Sequence, residues 1–457
     1  MKTDHNEKYV ASVIARLQRI AVDVRPPAPR PTGRYDGPPP IATFDTATMT
    51  NVRGFELSAL DERVMLEVPD GGQYLRIEGE GFVALKKIAA EMVVKCELAD
   101  VVSFAFVEDA LFDYRIAAFK SSEWNSPIEQ LEKRVEESVQ DCSFSFPLSG
   151  SRGNRAFVFC GVDFQPDCAE FRQYLVSFLQ CDNAPEAERL ANQRTAEEWS
   201  DRFGQSMWAS VNITAEPQHA KELALQHVTD ATHLLRALCF AGYHPTRHVA
   251  IVPGAPFFEP NLTLATVGGA SSYYPDPAAK PELVWFGEDF LASLYELGLK
   301  HIDNLFRKES KSEMEDLCLR ALITLGSVAG MSDVSDKVVY GCTALDMLYS
   351  RDQEPILATM PKRLATEVGV DLADRKKILA VVKAVYGLRS GRVHGGRAAE
   401  LNAQTRDFFL YLFNLAMRLP FIASRHETQA QYIGSLEDRM LGGQVADAPP
   451  RRARPIK

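Results

Sequence analysis

The sequence predicts an α+β N-terminal region, of a fold its pattern does not identify, followed by an all-α helical bundle. Three observations lead there. Short runs rich in β-formers alternate with amphipathic helices up to about residue 283. From Val284 onward, period-3.6 apolar stripes follow one another with short connections. A block of prolines separates a single first helix from the rest. The chain has 457 residues, 46% hydrophobic and 25% charged, an ordinary balance for a globular protein with a large core. That balance excludes a disordered, collagen-like or disulfide-stapled chain.

Residues 8–21 place Val10, Val13, Ile14, Leu17 and Ile20 at helical spacing, which predicts an amphipathic helix within 1–24. It stops at 25–40, where seven of the 26 prolines form an extended linker with little prospect of a core. The helix is therefore expected to dock elsewhere on the chain or on a second subunit. Residues 41–283 make the α+β region, divisible near 205. Within it, Arg63–Pro69 and Tyr74–Glu78 flank Asp70-Gly71-Gly72 as the arms of a hairpin. Ser126–Asp141 is an amphipathic helix with Pro127 near its start. Arg155–Phe164 reads as one buried strand. A strand over 206–215 leads into a helix from His219 to about Cys239, and strands are expected at 247–253 and 261–267.

The bundle is expected over 284–425. Its helices are Leu291–Lys308, Ser312–Val328, Ser332–Ser350, Leu357–Val368, Leu372–Leu388 and Ala398–Leu419. Ser332, Asp333 and Asp371 are capping candidates. Short connections imply antiparallel neighbours. Residues 426–457 form a C-terminal segment with a basic tail.

No apolar run reaches the roughly 18 residues a membrane span needs. The first residues, MKTDHNEKYV, lack the apolar stretch of a secretory signal. Eight cysteines are scattered without CxxC spacing and read as buried free thiols in a reducing compartment. The expectation is a cytoplasmic protein without membrane association. The net charge of −10 divides unevenly, −14 over 1–310 and +4 over 311–457. An acidic body with a basic end suits a polyanion partner, and equally a solvated face plus a basic tail. Trp124, Trp199, Trp208 and Trp285 read as core or interface anchors.

The P-loop, HExxH, EF-hand and GxSxG patterns are all missing. His244 and His248 have ligand spacing, but Pro245 breaks a helix there and no third ligand is near in sequence. His227 and His233 fall on roughly opposite faces of a helix. No metal and no cofactor is expected.

One segment differs, Val385 to Arg397. Ile378, Val382 and Val385 form a buried stripe that Arg389 continues, so a cation points at the bundle seam. There it needs a carboxylate, a partner subunit or a phosphate. Gly391, Gly395 and Gly396 are expected to loosen the helix and leave His394 in a loop beside Arg392 and Arg397. Such a group permits RNA cleavage without metal. An imidazole moves protons near neutral pH, and a guanidinium forks onto phosphate oxygens as charge develops. One histidine and one arginine make a thin set that a symmetric dimer would double. The structural alternative is a capping histidine and a salt-bridged arginine. Tyr386, one turn earlier, is a packing residue or a stacking surface for a base.

The pattern Tyr386-x-x-Arg389-Ser390-x-x-Val393-His394-Gly395, closing the third helix of a bundle, resembles the HEPN superfamily. The Apea-like HEPN branch of bacterial abortive-infection and antiphage proteins is the most similar. Cys342-Thr-Ala-Leu345-Asp-Met-Leu348 resembles that family's apolar helix ending in a leucine pair. The resemblance covers roughly residues 300–425. It implies an HEPN-like helical bundle, homodimerisation through that bundle and metal-independent endoribonuclease activity. Arg389 and His394 would be the catalytic pair, with Ser390 and Tyr386 supporting them and Arg392 and Arg397 contacting RNA. Serine stands at 390 where many members carry Asn, Asp or His. The expected setting is antiphage defence, with the α+β region sensing a phage-derived trigger and restraining cleavage. The alternatives are a noncatalytic HEPN module that holds nucleotide, RNA or protein, or a toxin silenced by an antitoxin-type partner.

Overall fold

A computed structural model of the chain describes residues 7–25, 66–70, 73–167, 206–254, 262–267, 270–275, 282–351, 353–396, 398–399 and 402–442, with scattered positions between 186 and 198. The prolines after Arg25, Trp199, Arg397 and the basic tail lie outside the described residues. The protein is mostly helical with a small sheet region. It divides into two compact units. One comprises Met1–Cys142 with Asn212–Leu223, the other Ser143–Val211 with Ala224–Lys457.

In the first unit, α1 (Glu7–Gln18) docks on its own chain. Its apolar stripe places Val13 and Leu17, both fully buried, in a core with Leu75, Phe82, Leu85, Met92, Phe112 and Leu131. Arg115 fixes the end of that segment by donating from Nε and Nη2 to the Ile20 carbonyl at 3.0 and 2.7 Å. Strand β1 (Asp23–Arg25) pairs antiparallel with β3 (Gln73–Ile77), so Arg25 ends a strand instead of opening the linker. Strand β2 (Leu66–Asp70) also pairs antiparallel with β3 as the expected hairpin, with Asp70, expected in the turn, instead paired with Gln73. Helices α2 (Gly79–Lys95), α3 (Phe104–Ser121) and α4 (Pro127–Ser138) complete the unit. The Ser126 hydroxyl caps α4 by accepting from the Glu129 amide. Pro127 sits in the first turn, where a missing N–H costs nothing.

The second unit carries the bundle and most of a five-stranded sheet. Strands β4 (Gln140–Ser149), β6 (Phe157–Phe159), β7 (Val162–Gln165), β8 (Met207–Ala215) and β9 (Val252–Pro253) lie in the order β6-β7-β8-β4-β9. A second, parallel pairing joins β5 (Ser151–Gly153) to β12 (Val284–Phe286). The residues expected as one strand, 155–164, are instead a hairpin. Cys160 and Gly161 both take positive φ, 53° and 76°, and turn Phe159 back onto Val162. Such a two-residue turn matches strand twist, which is why glycine usually fills it. Here Asp303 accepts the Cys160 amide at 2.6 Å and the His227 ring bonds the Cys160 carbonyl at 2.6 Å, so side chains hold the cysteine there. Residues 247–251 are not a strand. Val249, Ala250 and Ile251 are buried, with the Val249 amide bonded to Ala329, and only Val252–Pro253 pair. The run at 261–267 does form a strand, β10 (Leu262–Val267), antiparallel to β11 (Ala270–Pro275). Trp208 is buried, but Trp285 alternates outward on β12 and is 54% exposed, so it is no core anchor.

Helix α5 (Pro217–Ala237) precedes the bundle. The single helix expected over 291–308 is two, α6 (Glu288–Glu296) and α7 (Leu299–Arg307), because Gly298 at φ 105° breaks the run. Then follow α8 (Glu313–Gly330), α9 (Val334–Tyr349) and α10 (Ile356–Val368) at nearly the expected bounds. A Ser312–Glu315 capping box starts α8 and Asp333 caps α9. Helix α11 (Leu372–Gly395), capped by Asp371, runs beyond the expected Leu388. Helix α12 (Ala403–Ala416) starts later than 398, where Asn402 and Thr405 build its cap, and α13 (Leu419–Ala423) follows. Helix α14 (Gln429–Met440) packs on α10, so the helical assembly extends past 425. Helix α9 packs on α8 and α11, and α11 also meets α10 and α12.

Candidate functional site

The site candidates share the last two turns of α11, and the helix there is intact. Single glycines at 387 and 391 weaken a helix by about 1 kcal/mol each. Ile378, Val381, Val382 and Val385 are buried among neighbouring helices and hold it. Of the three glycines expected to loosen it, only Gly396 ends it. It adopts a left-handed conformation at φ 63° and returns its amide to the Arg392 carbonyl at 3.0 Å. His394 is therefore in the last helical turn, not in a loop.

Arg389 does point at the seam, and a carboxylate meets it. Its Nη1 lies 3.0 Å from Oδ2 of Asp346 on α9 and also donates to the Tyr386 hydroxyl. The guanidinium sits 5.0 Å from the centre of the Tyr386 ring, within cation–π range. That hydroxyl reaches both Asp346 oxygens at 3.4 Å. Tyr386 thus underpins the pair. Burial raises the Asp346 carboxyl from its ordinary range, against the opposing Arg389 charge and the Tyr386 hydrogen bond. Burial also raises the Tyr386 phenol, and the Asp346 charge adds to that. One turn before Asp346, burial pushes the Cys342 thiol up to about 12, which keeps it protonated and poorly nucleophilic.

The other candidates face outward. Ser390 and His394 are exposed, and among the described residues His394 makes no hydrogen bond or ion pair. Arg392 is 3.5 Å from Asp336 on α9, a loose and largely solvated contact. Together with the Asp346 pair it shows α9 and α11 running antiparallel. Arg392 and His394 also complement the negative end of the α11 dipole. Five helical residues separate Arg389 from His394, about 7.5 Å of rise and about 140° of rotation. Within one chain the expected pair therefore diverges, Arg389 toward α9 and His394 toward solvent.

The other histidines that the sequence singles out are engaged elsewhere. His244 bonds Thr246 at 2.9 Å, and His248 is buried. Their loop carries a feature that no sequence pattern announces. The carbonyls of Gly242, His244 and Arg247 converge on the buried Lys337 ammonium, with Gly242 at 2.7 Å and His244 at 3.1 Å. Burial lowers this lysine to about 7. His233 bonds Ser327 on α8 at 3.2 Å, while His227, six residues earlier on α5, bonds the hairpin at Cys160. Among the described residues no cluster of three or more His, Cys, Asp or Glu could hold a metal, and no helix is long and apolar enough to cross a membrane.

Asp346 is the site residue that the sequence pattern did not single out. Its signal was present: a charged residue inside the apolar run Cys342–Leu348, whose leucines are fully buried, requires a cation. Neither a protein-family model, nor a curated protein, nor a solved structure matches the chain.

Proposed function

We propose that this chain is a metal-independent endoribonuclease of the HEPN type, acting as a homodimer. The observation that carries this reading is the end of α11, where an exposed and unengaged His394 follows a partly exposed Arg389. In the reaction, an imidazole takes the 2′-OH proton and the 2′-oxygen attacks the adjacent phosphorus. The P–O5′ bond breaks and a second imidazole protonates the leaving 5′-oxygen. The products are a 2′,3′-cyclic phosphate and a 5′-hydroxyl, and Arg389 stabilises charge on the phosphorane. Because Arg389 and His394 diverge within one chain, a second copy supplies the complementary group across a two-fold axis. The resemblance to the Apea-like branch suggests an antiphage setting, with the remainder of the chain answering to a trigger.

A second reading, a noncatalytic RNA- or nucleotide-binding bundle, is favoured by the Asp346 ion pair, which neutralises Arg389 in this structure. Purified wild type and His394→Ala, incubated with total RNA in excess EDTA, separate the two. The nuclease reading expects cyclic-phosphate ends from wild type and a loss of about 10²–10⁴-fold in His394→Ala, the range for removing a general acid–base. RNA binding with no cleavage from either protein supports the second reading, and equal cleavage by both removes His394 from the reaction.

A further inference from the structure

Arg389 is bonded in a way that leaves it free to exchange. Only Nη1 meets the Asp346 carboxylate, and the buried Nε has no partner among the described residues. A guanidinium satisfies a carboxylate or phosphate best through two parallel N–H bonds. Asp346 is fixed on α9 between fully buried Leu345 and Leu348, and meets Arg389 at Nη1. The pair is open to water as well, with side chains 27% and 20% exposed. Tyr386 also bonds the carboxylate, so Asp346 keeps a donor when Arg389 leaves it.

We propose that Asp346 is a built-in counter-anion that occupies Arg389 in the resting chain and that an RNA phosphate must displace. The proposal rests on the ribonuclease reading and adds its restraint: the chain's own carboxylate sets the threshold for engaging RNA. A phosphate brings several accessible oxygens and can take both terminal nitrogens together, whereas Asp346 at its fixed position meets Nη1. While Asp346 stays charged beside the incoming phosphate it repels it, so only an RNA held at other points as well competes successfully. Removing that charge should therefore tighten binding, where a carboxylate that merely aimed Arg389 would weaken it.

The test uses full-length wild type, Asp346→Asn, Asp346→Ser, Arg389→Met and the Asp346→Asn/Arg389→Met double variant. Binding of a single-stranded 2′-O-methyl RNA, which cannot be cleaved, is followed by fluorescence anisotropy in EDTA between 50 and 200 mM salt. Cleavage of total RNA is scored in parallel, and circular dichroism confirms folding. Asp346→Asn is isosteric and can still bond Tyr386, and Asp346→Ser serves if it misfolds. The expected result is binding about tenfold tighter than wild type, with a salt slope steeper by about 0.7, the signature of one more phosphate neutralised on a single strand. Arg389→Met should abolish that tightening in the double variant, and Asp346→Asn should cleave faster. Weaker or unchanged binding by folded Asp346→Asn and Asp346→Ser, with wild type still cleaving RNA, overturns the counter-anion and leaves the nuclease standing. No binding and no cleavage by any protein overturns both.

Discussion

Two arginines of the bundle face carboxylates across helices, and they are bonded differently. Arg363 on α10 is only 3% exposed and donates to Glu354 from both terminal nitrogens, to Glu437 on α14 and to the Tyr349 carbonyl. Its terminal N–H groups are saturated, and it joins α14 to the bundle. Arg389 has one carboxylate, met at Nη1, and a buried Nε without a partner among the described residues. Arg363 spends both terminal nitrogens on carboxylates, whereas Arg389 meets its carboxylate through one.

The largest effect on stability should follow from breaking the saturated site. Arg363→Met leaves two carboxylates and a buried carbonyl without their cation and is expected to cost about 3 kcal/mol in urea unfolding. Arg389→Met should cost about 1 kcal/mol or less, because its pair is partly solvated and Asp346 retains Tyr386. Equal losses would remove the distinction. The smallest effect sharpens it from the helix side. A methyl group at Gly387 meets nothing within 4 Å among the described residues. Gly387→Ala should therefore stabilise the protein by about 0.5–1 kcal/mol. It should leave RNA binding unchanged if the site works from a continuous α11. Lost binding in a more stable protein would show that this end must unwind.

Much of the fold was legible because strong local signals agreed with tertiary packing. The stripe of α1 fixed which face it buries, and of the capping candidates Ser332, Asp333 and Asp371 the last two cap helix starts in the structure. Cys160 misled for a physical reason. Its neighbours are β-formers, and the left-handed turn is enforced by Asp303 and His227, which lie far away in sequence. Gly298 and the glycines of α11 show the reverse pair of outcomes. The first broke a helix whose stripe reads as continuous, and those at 387 and 391 did not, because buried valines hold α11 on its neighbours. At the site, the need of Arg389 for an anion was readable from its place in the stripe. Which anion supplies it was not, since the α9–α11 register exists only in three dimensions.

The most direct measurement compares the two arginines in one sample. Full-length protein labelled with ¹⁵N-arginine and ¹³C-histidine would be titrated with the 2′-O-methyl RNA while side-chain NMR signals are followed. Saturable shifts of Arg389 and His394, with Arg363 unmoved, are the predicted result. If Arg389 and His394 stay still while RNA binds, or if Arg363 shifts as much as they do, the end of α11 is not where this protein meets RNA.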